Sequence, residues 1–360
     1  MKNVNSRENL RNGLSGIIRA KNESRFLEAC IDSCVNVLDE LVIVYNDCTD
    51  STPEIIERKV KQYPDKIKAY PYNHNVVSHN LTREEYDYAK ALPEDSLQLH
   101  SNQCNYALSK VTCKYAVKID ADQIYIESEV LKWRNICYSS NSTFKLKTLL
   151  GFMFSLWLSL YRRISAKCGF PCLVLLPGWL CKLSNKSYHD YARWMLVNDR
   201  ACVAWSGLNL FYDNGWFVPF DGINIHPPYN GEGDTLIFKV SDKTFYTRLC
   251  KEGPPFSVIE VFNHPYNKMT FGPPVWFHLH ANRPYCVEKV RKVKMIHPEW
   301  FLTIDEFLTQ NYKQVHARMN HKSHTLYQRI LFAYVHNVGR NVIKANALKL
   351  NDLKLEDVLS

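Results

Sequence analysis

The first 130 residues alternate between short unbroken apolar runs and segments whose apolar residues recur at helical spacing. Leu14 to Ile18 reads as a strand, and "SRFLEACIDSCVNVL" follows with Phe26, Leu27, Cys30, Ile31 and Cys34 on one helical face. Leu41 to Tyr45 repeats the strand, and Ser51 with Glu54 predicts a capping box, with Pro53 in the first turn of the next helix. "KIKAYPYN" gives a third, shorter strand. A polar loop is expected from Val77 to about Ser96, then a helix through "LQLHSNQCNYALSKV" into the strand-like "YAVKIDADQIYIE", Tyr115 to Glu127. Strands alternating with helices predict an α/β protein with a doubly wound, mostly parallel sheet.

The pattern then changes. The unbroken apolar run from Leu149 to Tyr161 is shorter than the roughly 20 residues that a spanning helix needs. With Phe152, Phe154, Trp157 and Tyr161 beside Arg162, Arg163 and Lys167, it suits a helix lying at a membrane interface; a helical hairpin buried against protein is the alternative. Beyond Val287, "EWFLTIDEFLTQNY" and "HTLYQRILFAYVHNVGRNVI" read as amphipathic helices, with His316, Arg318, His321, Lys322, Arg329 and Arg340 on their polar faces. The expected organisation is a core over 1–285, divided into a strand-and-helix half at 13–127, an apolar insertion at 145–182 and a further half at 183–285. A helical extension follows at 286–360.

Composition narrows the class. Nearly half of the 360 residues are apolar, enough to bury a substantial core. The formal charge of +9, read as spread along the chain, favours anionic partners such as nucleotide phosphates or an acidic membrane surface. No nucleic-acid-binding motif accompanies it. The 12 cysteines are scattered, many within apolar segments, and read as buried thiols; Cys30 with Cys34 and Cys168 with Cys172 lack the partners of a zinc site. "MKNVNSRENLRNG" has no apolar core of a signal sequence, so a cytoplasmic location is expected.

In a parallel sheet, ligands collect beyond the carboxyl ends of the strands, and both Asn46-Asp47 and Asp120-Asp122 fall there. No G-x-G-x-x-G follows the first strand and no P-loop is present, so the phosphates need another counter-charge. Two carboxylates separated by one small residue can hold a hard divalent ion that also binds a diphosphate. The same D-x-D also suits a capped turn.

"SGIIRAKNESRFLEACIDS", "DELVIVYNDCTDSTPEII" and "SNQCNYALSKVTCKYAVKIDAD" resemble, in order and spacing, the nucleotide-sugar half of a GT-A fold, family 2-like glycosyltransferase. The resemblance covers residues 13 to 127 and implies nucleoside contacts by Arg19, Asn22, Glu23 and Asp47, with Asp50 in the adjoining turn. It implies that Asp122 coordinates a metal and that Asp120 faces ribose or metal. The sequence departs from the family at Cys48-Thr49, where a small glycine-serine pair is usual. GT-A enzymes often add a late histidine ligand, which points to His278 or His280 in "PPVWFHLHAN", read as one face of a short strand. Mn2+ or Mg2+ suits such oxygen and imidazole ligands; histidines merely hydrogen-bonded within the strand are the alternative. An inverting transfer also needs a base, sought among Asp213, Asp221, Glu232 and Asp234. "PPYNGEGDTLIF" favours Asp234, then Glu232, because the flanking glycines allow close approach of a ligand, although the composition also suits an ordinary turn. Trp179, Trp194, Trp205, Tyr212 and Trp216 could stack on an acceptor sugar or pack in the core.

The implied partners are a nucleotide-sugar donor and a glycan or lipid-linked acceptor of bacterial capsule or lipopolysaccharide assembly, at the inner face of the cytoplasmic membrane. Two other functions are compatible with the chain. A sugar-nucleotide nucleotidyltransferase would share the sheet and the metal but normally opens on a glycine-rich loop that "SGIIRAKNES" lacks. A catalytically silent scaffold of the same fold is opposed by the intact Asp120 and Asp122.

Overall fold

The computed structural model describes residues 9–139, 143–156, 178–220, 228–266 and 269–311, with short stretches between 314 and 353. The strands in chain order are β1 (Arg11–Ala20), β2 (Glu40–Tyr45), β3 (Ile67–Pro71), β4 (Cys113–Ile119), β5 (Gln123–Tyr125), β6 (Cys202–Asn209), β7 (Phe211–Tyr212), β8 (Trp216–Pro219), β9 (Tyr229–Lys239), β10 (Phe245–Lys251), β11 (Ser257–Asn263), β12 (Met269–His278) and β13 (Phe301–Thr303). The helices are α1 (Leu27–Cys34), α2 (Thr52–Gln62), α3 (Arg83–Ala91), α4 (His100–Ser109), α5 (Glu127–Cys137), α6 (146–156), α7 (Gly178–Val197), α8 (Pro284–Ile296) and α9 (Ile304–Thr309). The chain forms two compact units. One comprises residues up to Ala121 with Leu131–Tyr138 and Ile237–Asn267; the other comprises Asp122–Val130, Ser139–Leu236 and the residues from Lys268.

In the first unit the strand order is β3-β2-β1-β4, every neighbour parallel, as the alternation of strand and helix predicts. Leu14, Ile18 and Leu41 to Val44 are all fully buried, the continuous apolar filling of a parallel sheet covered on both faces. Beyond β4 the sheet turns antiparallel, with Ile237 to Lys239 of β9 opposite Val117 to Tyr115. β10 and β11 form a separate antiparallel pair.

Three local expectations are corrected here. The supposed loop from Val77 to Ser96 contains α3, opened by a capping box in which Glu85 N donates to Thr82 Oγ1 at 3.2 Å and Thr82 N donates to Glu85 Oε2 at 2.8 Å. Only Tyr86 and Ala89 of α3 are buried, against Leu99 and Val258, so its apolar stripe is too thin to stand out in the sequence. Second, Ser51 makes no capping bond to α2. Asp50 does that work: its Oδ1 accepts from Thr52 N and its Oδ2 from Ser24 N, each at 3.0 Å. Third, the run from Tyr115 to Glu127 holds a second strand: β4 ends before Asp120 to Asp122, as expected, and β5 follows.

In the second unit β12 runs parallel to β6, pairing His278 with Asn209, and antiparallel to β5, pairing His278 with Gln123. Gly207 of β6 leaves room for Trp276 of β12; a Cβ there would lie 1.7 Å from the indole. β13, β8 and β7 make a small antiparallel sheet. "EWFLTIDEFLTQNY", read as one helix, divides into β13 and α9, while His316, Arg318, His321, Lys322 and Arg329 lie outside the described residues. So do Trp157, Tyr161, Arg162, Arg163, Lys167, Cys168 and Cys172. Among the described residues no helix is long and apolar enough to cross a membrane, and the nine described cysteines are free thiols.

Burial alone would raise the Asp50 carboxyl, but the bonds from Ser24 and Thr52 outweigh it and hold it down at about 2, against an ordinary 3.8. A depressed folded value makes this contribution present above the unfolded value and lost as pH falls through the folded one. Asp50→Ala is expected to cost about 1 kcal/mol in urea denaturation at neutral pH, and the deficit should close as the pH is lowered from about 4 to about 2.

Candidate functional site

β4 delivers the chain to a tight passage, Asp120-Ala121-Asp122, before β5 begins. In the second unit Asp122 is 3 % exposed, and an ionised carboxylate so buried needs cationic or donor partners. They come from the end of β12. His278 Nε2 is 3.4 Å from Asp122 Oδ1, His280 Nδ1 is 3.3 Å from Oδ2, and Arg283 Nε donates to Oδ2 at 2.9 Å. The backbone fixes the passage as well, because Leu279 N donates to the Asp122 carbonyl at 2.8 Å. Burial pushes the Asp122 carboxyl up, yet the charge and bonds of His278, the bond of His280 and the charge of Arg283 together hold it well below the usual carboxylate range.

His280 is not on the strand with His278: β12 ends at His278, and His280 opens a 3-10 turn, His280–Asn282. That turn is what swings His280 and Arg283 towards the carboxylate that His278 faces from the strand end. Asn282 pins it, its Oδ1 accepting from Tyr212 N at 2.8 Å and its Nδ2 donating to Leu210 O at 3.0 Å. His278 Nδ1–H donates to Asn209 Oδ1 at 2.8 Å, which makes Nε2 the ring's coordinating atom. The ligand atoms of Asp122, His278 and His280 all lie within 4.8 Å of one another. Ligands about 2.1 Å from one ion sit about 3.0–3.4 Å apart. The carboxylate–imidazole separations of 3.3 and 3.4 Å, each to a different oxygen of Asp122, are of that size, so the three side chains could hold a divalent ion where they now form ion pairs.

Asp120 lies in the first unit, its Oδ1 3.4 Å from Lys118 Nζ, and is not one of those three ligands. The other nucleoside candidates of this unit line the turns after β1 and β2. Asn22 and Asp47 adopt left-handed backbone, φ 56° and 43°, and Asn22 Oδ1 accepts from Thr49 N at 2.7 Å. Glu23 N donates to Thr52 Oγ1 at 2.8 Å, and Asp47 Oδ2 accepts from Asn46 Nδ2 at 3.1 Å. Cys48 and Thr49, the departure from the family pattern, sit inside this same turn.

Arg19 has a different setting. Its Nη1 lies 2.8 Å from His100 Nε2 and 3.0 Å from Glu260 Oε1, and it also donates to Cys104 Sγ. Burial would lower its pKa, but Cys104 and Glu260 drive it well above the ordinary value. His79, His100 and Glu260 also have their ligand atoms within 4.8 Å. They do not suit a cation, because a guanidinium only donates. Burial would lower the His100 imidazole, but Cys104 and Glu260 push it up to about 9, and its Nδ1 lies 3.2 Å from Glu260 Oε2. The group is an ion network about Arg19.

Glu232 and Asp234 fall inside β9 rather than in a turn, and their side chains lie outside the described ones. Asp221 lies outside the described residues, and Asp213 is engaged by Lys294 at 2.7 Å and Arg291 at 3.6 Å. Of the aromatic candidates, Trp205 is fully buried core, Tyr212 and Trp216 meet edge-on at 5.1 Å, and the side chain of Trp179 is not among those described. Sequence reasoning missed Arg283, Asn209, His100 and Glu260. Arg283 follows His280 by three residues, a spacing that a turn can bring to one point; the other three have no local signal.

Residues 6–130 match the family model described as Beta-1,4-N-acetylgalactosaminyltransferase (CgtA). No curated protein matches. The solved glucosyl-3-phosphoglycerate synthase from Mycobacterium tuberculosis, in complex with Mn2+, uridine diphosphate and glucosyl-3-phosphoglycerate, is 20% identical over 31% of this chain and 34% of its own, with a TM-score of 0.20. S. aureus TarS 1-349 in complex with UDP is 18% identical over 33% and 30%, with a TM-score of 0.21. The chain thus spans about a third of the length of the solved structures it matches, and scores this low add nothing to the fold drawn from its own strands. The family match stands alone, and it is a likeness over the first third of the chain.

Proposed function

We propose that the chain transfers a sugar from a nucleotide-sugar donor to a glycan or lipid-linked acceptor, using Mn2+ or Mg2+ held by Asp122, His278 and His280. The observation that carries this reading is the convergence of those three side chains on the D-x-D that lies inside the glycosyltransferase match. The name of the matched family makes a nucleotide-activated N-acetylhexosamine the first donor to try. The resemblance to family 2 enzymes supports an acceptor of bacterial capsule or lipopolysaccharide assembly at the inner face of the cytoplasmic membrane.

Bound there, the cation would offset the charge that grows on the departing diphosphate. Asp122 contributes an anionic oxygen, and His278 contributes Nε2 while Asn209 fixes its ring. Arg283 steadies the Asp122 carboxylate. Of the first unit, Asp120 is the candidate for ribose, and Asn22, Glu23 and Asp47, with Arg19, are the candidates for contact with the nucleoside. In an inverting transfer the acceptor hydroxyl oxygen bonds to the anomeric carbon as the bond from that carbon to the diphosphate oxygen breaks. The hydroxyl proton passes to a carboxylate, for which Asp234 is the first candidate and Glu232 the second.

Calorimetry with a panel of nucleoside diphosphates should give binding only when Mn2+ or Mg2+ is added, and Asp122→Asn should weaken it at least about tenfold; chelator-insensitive binding equal in both proteins would refute the metal-bound donor site. In a transfer assay scored by diphosphate release, Asp234→Asn should lower kcat by about 100-fold or more while donor affinity holds. A fully active variant would move the base to another residue.

A further inference from the structure

Helix α6 has two unlike sides. Inward, Thr148, Gly151 and Phe154 are buried, and the last two meet α7: a Cβ on Gly151 would lie 2.0 Å from the Ser187 carbonyl oxygen, and Phe154 meets Tyr188 edge-on at 5.6 Å. Outward, Leu146, Leu149, Leu150, Met153 and Leu156 are 73, 41, 40, 56 and 47% exposed. At about 100° per residue the five fall within about a third of the helix circumference. A helix of a globular protein ordinarily turns such a stripe to its core; on α6 the core side is already taken by the opposite face. Lys145 and Lys147, both exposed, lie at the amino end of α6; at 100° per residue Lys145 falls about 20° outside one edge of the stripe and Lys147 about 60° outside the other.

Charge selects the occupant. Residues 130–189 contain nine lysines and arginines and no aspartate or glutamate, so one sixth of the chain carries the whole formal charge of +9 and the remainder is neutral. The charge is therefore not spread along the chain, as the composition suggested. Of these cations, Lys145 and Lys147 lie beside the stripe, so a second copy presenting the same face would bring like charges against like. An anionic lipid surface supplies both missing complements, apolar chains for the stripe and phosphates for the lysines beside it.

We propose that α6 docks on the surface of an anionic bilayer, with its leucines and Met153 at the boundary of headgroups and acyl chains and Lys145 and Lys147 among the phosphates. Closely spaced helix backbones at Gly151 hold the stripe outward, so docking needs no rearrangement of the protein.

The test is co-sedimentation of the full chain with vesicles of phosphatidylcholine alone or of phosphatidylcholine with a third phosphatidylglycerol, at low and high salt. No sugar donor is present, so the outcome is separate from that of the transfer reading. Binding to the anionic vesicles should exceed that to the neutral ones by about tenfold and weaken with salt. The combined Leu146→Ser, Leu149→Ser and Met153→Ser variant, which alters only exposed positions, should melt like the parent and bind about tenfold less; Lys145→Glu with Lys147→Glu should erase the preference for anionic lipid. Indifference of the parent to anionic vesicles, or equal binding by the serine variant, overturns the proposal. So does light scattering that shows an oligomer dispersed by the serine variant while vesicle binding is unchanged, which would give the stripe to a second copy.

Discussion

The charge on Asp122 organises everything around it. A carboxylate with almost no exposure would be protonated or would destabilise the fold if left alone, by several kcal/mol. Two imidazoles and a guanidinium hold it ionised, and each is supplied by backbone that has no other evident reason for its shape. β12 stops at His278, the chain folds into a 3-10 turn to present His280, and Arg283 immediately precedes α8. Asn209 of β6 then fixes the His278 ring, and Asn282, within the turn, ties it to Leu210 and Tyr212. A dense set of nitrogen donors about one oxygen pair is an arrangement in which a divalent ion can replace imperfect hydrogen bonds with ligand bonds.

The first unit shows the opposite use of the same residue types. Around Arg19, two histidines, a thiol and a glutamate also cluster, but a permanently protonated guanidinium already stands at the centre. Composition alone does not distinguish an ion site from an ion pair. What distinguishes them is whether the central group donates or accepts.

Much of the fold could be read from the chain, for physical reasons that can be named. β1, β2 and β4 are legible because both faces are covered, which leaves runs such as Leu41 to Val44 without a polar interruption. α3 was hidden because its helical character rests on a capping box and two buried side chains rather than on a stripe. The true cap of α2 escaped notice because Asp50 acts on Thr52 and Ser24 at once, and the second partner is 26 residues away in sequence. At the candidate site, Asp122, His278 and His280 were named from motif and resemblance, but not the turn that joins them. Glu260 reaches Arg19 across 241 positions, a separation that no local pattern encodes.

The origin of the two histidines has a further consequence. The stretch that matches the glycosyltransferase family ends at residue 130, whereas the groups that neutralise Asp122 begin at 278. The matched third is therefore not a portable module: a shortened chain that kept the D-x-D and lost β12 would expose an acidic end with nothing to balance it. Any attempt to graft this matched segment into another scaffold has to carry the remote "HLHANR" hexapeptide with it.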